Sequence, residues 1–264
     1  MIARLDGETR LYPIIGDPIR HLRSPELLSR SLSARGHNGI CIPLQVSEGD
    51  FSDVMGSLAL IANVDGLLVT MPHKFAAYGH CATVSETARL LKTISVMRRN
   101  PDGCWHGDML DGKAFLKAQV DAGARPAGGR VLLVGAGGAG RAIAIAMLSA
   151  GVRELVVHDR SEVRAAELVA LLADVGGRRV ATGAADPSGF DMVCNATPMG
   201  MADGDPMPVA TDLIARSAFV GDVIAGHGET AFLRAARLRG CKTASGDQMV
   251  AAVQEMMVDF LLSR

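Results

Sequence analysis

The sequence has few aromatic residues and almost no net charge. It contains one Trp, two Tyr and seven Phe, and its formal net charge is -1 at neutral pH. Because single strands of nucleic acid are bound through aromatic stacking platforms and duplexes through basic surfaces, these shortages argue against nucleic acid as a partner. The scattered basic residues also give no reason to expect an acidic membrane surface. We therefore expect a small molecule as the binding partner.

Paired cysteines, metal-binding motifs and long apolar segments are also lacking. The five cysteines are widely spaced without Cys-x-x-Cys, and no His-Glu-x-x-His motif occurs, so neither a disulfide framework nor a metal site is predicted. No Gly-x-Ser-x-Gly motif supports hydrolase chemistry. The most apolar stretch, Val131 to Val157, is interrupted by glycines and by Arg141, and Met1 to Gly16 does not resemble a signal peptide. We expect reduced thiols and a cytoplasmic protein.

Short apolar runs alternate with helical patterns along the chain. This order predicts an α/β protein with parallel sheets built from strand-helix-strand units. The predicted strands are Tyr12–Gly16, Cys41–Val46, Gly66–Met71, Arg130–Val134, Glu154–His158, Met192–Asn195 and Phe219–Val223. The predicted helices are Ser24–Ala34 with Ser24 as its N-cap, Phe51–Ile61, Lys113–Ala122, Gly140–Ala150, Ser161–Ala173 and Met249–Leu262. The apolar face of the last helix either supports a dimer or docks on the N-terminal domain, so a monomer and a homodimer both remain open.

A glycine-rich turn joins a predicted strand to a predicted helix in the middle of the chain. It has the form Gly-x-Gly-x-x-Gly, in which Gly135 permits a tight turn, Gly137 lets the backbone approach a pyrophosphate and Gly140 allows close helix–strand packing. The helix N-terminus favours an anion through its free N–H groups and its dipole. The turn therefore predicts a dinucleotide site, with a ligand-free glycine turn as the alternative. Its residues are Gly135, Ala136, Gly137, Gly138, Ala139 and Gly140.

An acidic residue, Asp159, follows the next predicted strand. A carboxylate at this position suits the adenosine ribose hydroxyls and repels a 2′-phosphate, which favours NAD as the cofactor. The neighbouring Arg160 is able to reach a 2′-phosphate or stack on adenine, which keeps NADP open. The other interpretation of Asp159 is a cap on the following helix.

Several segments, in order, resemble those of the shikimate dehydrogenase family. Gly16-Asp-Pro-Ile-Arg-His-Leu-Arg-Ser-Pro25 is similar to its substrate loop, written G-x-P-I-x-H-S-x-S-P. The other matching segments are Gly66 to Lys74 (family G-x-N-V-T-x-P-x-K), Gly107 to Gly112 (G-x-N-T-D-G), Asn195 to Met201 (N-A-T-P-x-G-M), and Thr230, Ala235-Ala236 and Gly246-x-x-Met249 in the closing segments. The resemblance extends from about Gly16 to Phe260.

The resemblance implies two domains and an oxidoreductase. Residues 1–112 with 244–264 are expected to bind substrate, and residues 113–243 to form a Rossmann-type domain that binds NAD, the preferred cofactor, or NADP. Lys74 matches the catalytic lysine and Asp111 its partner carboxylate; the plainer interpretations are a solvated loop lysine and a helix N-cap. The expected substrate contacts are Leu22, Ser24, Thr70, Ser95 and Gln254. The further cofactor contacts are Asp159, Arg160, Asn195, Ala196, Thr197, Pro198, Met199, Val223, Gly246 and Met249.

The catalytic pair suits the oxidation of an alcohol. One group must take the hydroxyl proton while a hydride leaves for the nicotinamide. A lysine does this if partial desolvation lowers its pKa, or it stabilises the developing alkoxide. The nearby carboxylate would orient the lysine and hydrogen-bond the substrate.

Several polar positions of the family carry other residues here. These are Leu22 for serine, Leu68, Ser95 and Met109 for asparagine, Leu110 for threonine, Val253 for glutamine with Gln254 one place further, and Ile224 for tyrosine. Since apolar replacements leave substrate hydroxyls unpaired, we expect a divergent shikimate or quinate dehydrogenase-like enzyme whose substrate is less polar or bound in another orientation. An ordinary NADP-dependent shikimate dehydrogenase and a sensor that binds NAD and a metabolite without turnover are the alternatives.

Overall fold

The computed structural model describes residues 5–20, 22–173, 179–201 and 204–263. These residues form two compact units, Met1–Leu110 with Val253–Arg264 and Asp111–Ala252. Each unit contains one six-stranded sheet with helices, which confirms the α/β class. The assignment of substrate and cofactor binding to separate domains stays a prediction.

The first unit has a mixed sheet, so the expectation of parallel sheets alone is wrong here. Its strand order is β2-β1-β3-β5-β6-β4. The pairs β1–β2, β1–β3 and β4–β6 are parallel, and the pairs β3–β5 and β5–β6 are antiparallel. The elements are β1 (Arg10–Gly16), α1 (Ser24–Ala34), β2 (Gly39–Gln45), α2 (Phe51–Ala59), β3 (Gly66–Val69), a 3₁₀ turn (Ala76–His80), β4 (Thr83–Val84), α3 (Glu86–Leu91), β5 (Val96–Arg99) and β6 (Trp105–Asp108).

A tight hairpin makes β6 antiparallel to β5, which is the strand that runs against its neighbours in this sheet. Strands β5 and β6 are joined by Asn100-Pro-Asp-Gly-Cys104, where Gly103 has a φ of 83° and the Asn100 N–H donates to the Cys104 carbonyl oxygen at 2.8 Å. Pro-Asp-Gly is a turn sequence because proline presets one φ and glycine accepts a positive one. The first unit is therefore not built from strand-helix-strand repeats throughout.

Helix α1 begins one residue differently from the sequence expectation. Its N-cap is Arg23, so the prediction that Ser24 caps the helix is wrong, although Pro25 does lie in the first turn. The Ser24 hydroxyl instead accepts a hydrogen bond from Gln254 Nε2 at 3.0 Å. That bond ties the start of α1 to the last helix.

The last helix, α8 (Gly246–Leu262), has its apolar face buried from residue 253 onward. Val253, Met257, Val258 and Leu261 are buried. On the exposed side, Arg35 forms an ion pair with Glu255 at 2.8 Å and a second with Asp259. Of the two roles expected for this face, docking within the chain is the one the structure displays.

The second unit has an all-parallel sheet with strand order β12-β11-β10-β7-β8-β9. This is the order of a doubly wound dinucleotide-binding sheet. At its centre, β7 and β10 are apolar except for Arg130 and Asn195 at their ends, as expected of strands covered on both faces. Its elements are α4 (Asp111–Asp121), β7 (Arg130–Val134), α5 (Gly138–Ser149), β8 (Glu154–His158), α6 (Glu162–Leu172), β9 (Arg179–Thr182), β10 (Met192–Asn195), a 3₁₀ turn (Thr211–Leu213), β11 (Phe219–Asp222), α7 (Ala231–Leu238) and β12 (Lys242–Ala244).

The cysteines, all in described positions, are free thiols. Burial raises the pKa of Cys41, Cys81 and Cys194 to about 12, so these thiols stay protonated at neutral pH. Within the described ranges, no helix has the length and apolar character that a bilayer span needs. The same residues contain no group of three or more His, Cys, Asp and Glu side chains placed to hold a metal ion.

Glu154 joins three neighbouring strands at their first residues. It lies opposite Arg130 of β7 and Arg179 of β9, and its carboxylate accepts from Arg130 Nε at 2.6 Å and from Arg179 Nε at 3.1 Å. The hydrogen bond from Arg130 lowers the pKa of Glu154, and the charges of Arg130 and Arg179 act in the same direction. These three charged residues stabilise the sheet at the amino-terminal ends of β7, β8 and β9.

We predict that Glu154→Gln lowers the free energy of unfolding by about 1 kcal/mol near pH 7, because the arginines are partly exposed and screened. A carboxylate with a lowered pKa stabilises the fold above the ordinary glutamate pKa and loses this effect as the pH falls through the lowered value. The difference between the two proteins should therefore shrink toward about pH 4 in urea denaturation. Glu48→Gln, at an exposed glutamate, is the control; an equal loss there would contradict the contribution of the three charged residues.

Candidate functional site

The glycine turn between β7 and α5 is shaped by close backbone contacts. Gly135 has a φ of 111°, and a Cβ built there would lie 2.7 Å from the Ala196 carbonyl oxygen. A Cβ on Gly140 would lie 2.0 Å from the Gly135 carbonyl oxygen. In contrast, a Cβ on Gly137 or Gly138 would meet nothing within 4 Å. The turn is therefore packed against the protein at its two ends and open in its middle.

The open part of the turn is the N-terminus of α5. Gly137 is the N-cap, and the helix begins with Gly138, Ala139 and Gly140. Unpaired N–H groups and the positive end of the helix dipole favour an anion at such a place, and the absent side chains let it come close. The turn lies where β7 and β10 adjoin and the strand order reverses, which is the position of ligands in open parallel sheets.

Asp159 supports the glycine turn from the end of β8. Its Oδ2 accepts from the Ala136 N–H at 2.8 Å, while its Oδ1 accepts from the Ser161 N–H at 2.9 Å and from Arg164 Nη2 at 3.1 Å. Burial acts to raise the pKa of Asp159, but the two backbone hydrogen bonds and the Arg164 charge outweigh it and lower the pKa. The helix cap itself is Ser161, whose hydroxyl accepts from the Arg164 N–H.

Two cavities meet at Asp159. The first, of about 520 Å³, extends from the glycine turn to the loop after β10, and the second, of about 660 Å³, lies between α6 and the end of β9. His158, Asp159 and Arg160 line both. Arg164 lines the first cavity and was missed from the sequence, although its position one helical turn after Arg160 is a usable signal. Each cavity is large enough for part of a dinucleotide.

The loop after β10 forms the far wall of the first cavity. Ala196, Thr197, Pro198 and Met199 line it. The Asn195 side chain holds this loop, since its Oδ1 accepts from the Thr197 N–H at 3.1 Å and the Thr197 hydroxyl at 2.6 Å, and its Nδ2 donates to the Met199 carbonyl oxygen at 3.1 Å. Asn195 is buried, so it shapes the wall from behind.

Three further cofactor candidates lie beside β10 and α8. The Val223 N–H donates to the Asn195 carbonyl oxygen at 3.1 Å, which extends the contact between the strand ends. A Cβ on Gly246 would lie 2.3 Å from the Val223 carbonyl oxygen, so only glycine permits this approach. Met249 follows in the first turn of α8 and is half-buried.

In the first unit, the loops after the parallel strands β1 and β3 pack together. The Asp17 N–H donates to the Met71 carbonyl oxygen at 2.9 Å, and a Cβ on Gly16 would lie 2.3 Å from Thr70 Cγ2. Lys74 follows Thr70 in the second of these loops and is half-buried. Its backbone oxygen accepts from the Ile94 N–H at 2.9 Å.

The expected substrate residues differ in their surroundings. Leu22 and Ser24 are half-buried after β1, while His21 lies outside the described residues. Gln254 donates to Ser24 through Nε2, and its Oε1 is buried without a protein partner among the described residues. The Ser95 hydroxyl is also buried and accepts from the Leu110 N–H at 2.9 Å, so it supports the backbone that leads into Asp111.

Asp111 is the first residue of α4 and is buried. It belongs to the second unit, whereas Lys74 belongs to the first. The apolar replacements at Leu68, Met109 and Leu110 are also buried, at 1%, 0% and 5% exposure. Asp111 and Gln254 are buried to a similar degree, at 6% and 3% exposure, so burial alone does not separate the apolar replacements from the proposed polar contacts.

Comparisons with known proteins give consistent results. Residues 14–97 match the family model described as the shikimate dehydrogenase substrate binding domain. The chain is 37% identical to a shikimate dehydrogenase (NADP(+)) of Rubrobacter xylanophilus over 255 residues, covering 94% of this chain and 89% of that protein.

Two similar solved structures carry other names. One is the ligand-free 5-ketofructose reductase of Gluconobacter sp. strain CHM43, with 27% identity, a TM-score of 0.88 and coverage of 97% of this chain and 94% of that one. The other is the quinate dehydrogenase from Corynebacterium glutamicum in complex with NAD, with 28% identity, a TM-score of 0.87 and coverage of 96% and 94%.

We predict that Gly140→Ala lowers the free energy of unfolding by at least about 1–3 kcal/mol, because the new Cβ would overlap the Gly135 carbonyl. Gly138→Ala, two residues earlier in an open position, is the matched control and should stay within about 0.5 kcal/mol of the wild type. Chemical denaturation of both variants measures the difference. Equal stability of the two variants would show that the turn is not packed as described.

Proposed function

The chain belongs to the shikimate dehydrogenase family, and on this premise we propose that it transfers a hydride between NAD or NADP and a hydroxylated small molecule. The observation that carries the proposal is the glycine turn, open at Gly137 and Gly138 and placed at the reversal point of a parallel sheet. The match of residues 14–97 to the family's substrate binding domain supports the binding of a hydroxylated substrate. We propose that the second unit binds the dinucleotide and the first binds the substrate.

The residues of the second unit fit a dinucleotide. The pyrophosphate would bind at the N-terminus of α5, where Gly137 and Gly138 leave open space and Gly135 and Gly140 hold the turn. Ala136 and Ala139 lie in the same turn. The loop of Ala196, Thr197, Pro198 and Met199 would border the nicotinamide, with Asn195 behind it and Val223, Gly246 and Met249 beside it.

The choice between NAD and NADP depends on three charges at the end of β8. Asp159 is a carboxylate with a lowered pKa, which disfavours a 2′-phosphate. Arg160 and Arg164 line the same cavity and favour one, although Arg164 is paired with Asp159 at 3.1 Å. We retain NAD as the preferred cofactor in this proposal and NADP as the second; the NADP(+) name of the Rubrobacter relative supports the latter.

Lys74 and Asp111 are the proposed catalytic residues. When bound, the dinucleotide supplies the hydride acceptor or donor. Lys74 takes the proton of the substrate hydroxyl in the oxidative direction, or stabilises the alkoxide as it forms, and returns the proton in the reductive direction. Asp111 orients the ammonium group and accepts a hydrogen bond from the substrate. Ser95 and Leu110 hold the backbone that precedes Asp111.

The proposed substrate is a cyclic hydroxy acid of the shikimate or quinate type or a less polar analogue. Ser24 and Gln254 support a polar contact, because the Gln254 amide oxygen has no partner among the described residues. Thr70 precedes Lys74 in the same loop, and Leu22 precedes α1. The panel of substrates to be tested contains shikimate, quinate and less polar analogues. Since one similar structure is a 5-ketofructose reductase, a polyhydroxy ketone is added to this panel. We expect a cytoplasmic monomer or homodimer.

We predict that Lys74→Met lowers kcat by about 10²–10⁴-fold with the best of the substrates tested, because it removes the group proposed to take the hydroxyl proton. Absorbance of the reduced nicotinamide measures turnover with NAD and NADP. Binding of the dinucleotide should be unchanged, which its fluorescence on titration tests separately.

Lys117→Met at an exposed lysine is the matched control and should retain full activity. Turnover that survives Lys74→Met would contradict the catalytic assignment. Dinucleotide binding without turnover of any panel member by the wild type would favour the sensor instead.

We also predict that Asp159→Asn raises the ratio of kcat/KM for NADP to that for NAD by about tenfold, since it removes the charge that repels a 2′-phosphate and releases Arg164. Arg160→Gln should change the ratio in the opposite direction. Glu48→Gln removes a charge from an exposed position that lines neither cavity and serves as the control. An unchanged ratio in Asp159→Asn would contradict the role of Asp159 in cofactor choice.

A further inference from the structure

Asp222, at the end of β11, is a fully buried carboxylate that the proposed chemistry does not use. It is 0% exposed, as is Asn195, its direct neighbour across the parallel pair of β10 and β11. Residues opposite each other on neighbouring parallel strands project from the same face of a sheet, so these two side chains meet. Burying a carboxylate is unfavourable unless hydrogen bonds compensate for its lost hydration.

The compensation comes from three donors. Asp222 Oδ1 accepts from Asn195 Nδ2 at 3.1 Å and from the Ile224 N–H at 3.2 Å, and its Oδ2 accepts from the Thr230 hydroxyl at 2.8 Å. Burial raises the pKa of Asp222, while these hydrogen bonds act against the rise. All the donors lie within the second unit.

The bond to Asp222 is one of four that hold the Asn195 amide in one orientation. Asn195 Nδ2 donates to both Asp222 and the Met199 carbonyl oxygen, so Oδ1 must face the Thr197 N–H and hydroxyl. Each side-chain hydrogen-bonding group of Asn195 is then used. Without the carboxylate, Asn195 Nδ2 would keep only the Met199 carbonyl oxygen as its partner, and one N–H of a buried amide would lose its acceptor.

Asp222 also fixes the loop after its own strand. Its bond to Ile224 shapes the backbone beside Val223, whose N–H donates to the Asn195 carbonyl oxygen. Thr230 holds the other carboxylate oxygen and caps α7 through the Leu233 N–H. One carboxylate thus connects two loops at the carboxyl ends of adjacent strands, and the first loop lines the 520 Å³ cavity.

We propose that Asp222, assisted by Thr230, is a positioning residue for the dinucleotide: it sets the Asn195 amide and thereby the shape of the Thr197–Met199 wall. The inference rests on the proposed function and adds a residue to that site. Asp222 acts through Asn195 and does not touch the cofactor. Its removal should weaken dinucleotide binding more than its effect on stability explains.

The test compares dinucleotide affinity among variants of the full chain. Thr230→Val removes the hydroxyl that holds Asp222, and Thr230→Ser retains it. Asp222→Ala removes the carboxylate. Phe232→Leu, at a fully buried core residue of α7, destabilises the same unit without touching the network. The affinity for NADH and NADPH is measured by their fluorescence, and Tm is recorded for each variant.

We expect Asp222→Ala to raise the Kd by about tenfold and Thr230→Val by about threefold, with Thr230→Ser near the wild type. Phe232→Leu should lower Tm without changing the Kd. A Kd for Phe232→Leu that rises as much as that for Thr230→Val at equal loss of Tm would overturn the inference, as would wild-type affinity in Asp222→Ala.

Three other outcomes are also decisive. If Asp222→Ala does not fold, the difference in Kd between Thr230→Val and Thr230→Ser decides, and equal values overturn the inference. If the wild type binds neither NADH nor NADPH, the proposed function fails and this inference fails with it. Wild-type binding with unchanged variants leaves the proposed function intact and overturns the inference alone.

Discussion

The approach of Gly140 to the carbonyl oxygen of Gly135 is the contact on which the second unit depends. A Cβ at residue 140 would lie 2.0 Å from that oxygen, so α5 can start directly above the end of β7 only because the side chain is absent. The same turn brings Gly135 against Ala196, and this contact connects the end of β7 to the loop after β10. Backbone packing at one point therefore sets both walls of the cavity.

Buried polar groups then hold the loops that have no regular structure of their own. Asp159 supports the glycine turn, Asn195 the loop after β10, and Ser95 the backbone before Asp111. In each case a short side chain accepts a hydrogen bond from a backbone N–H of the segment that it holds, and only the bond of Asn195 is local, as in an Asx turn. Such bonds are strong where water is excluded, so these loops keep one conformation without extensive apolar packing.

The sequence predicts the second unit better than the first. Strands β7, β8 and β10 have the predicted bounds, because parallel strands buried on both faces appear in the sequence as short apolar runs. Strands β5 and β6 were missed, since Val96–Arg99 and Trp105–Asp108 are short and carry charges. The Pro-Asp-Gly turn between them was a usable signal. Direct hydrogen bonds such as that of Asp159 to Ala136 depend on tertiary placement and have no linear signature.

The first unit is closed by residues that lie far apart in the chain. Ser24 and Gln254 are 230 residues apart, and the whole second unit lies between the two parts of the first. On the ribosome, residues 111–252 leave as one continuous piece that contains its complete sheet. The segment from Val253 onward emerges after them, so the second unit can fold during synthesis while α1 must wait for its partner helix. The two units are thus completed in the opposite order to that in which they begin: the unit that begins first is completed last.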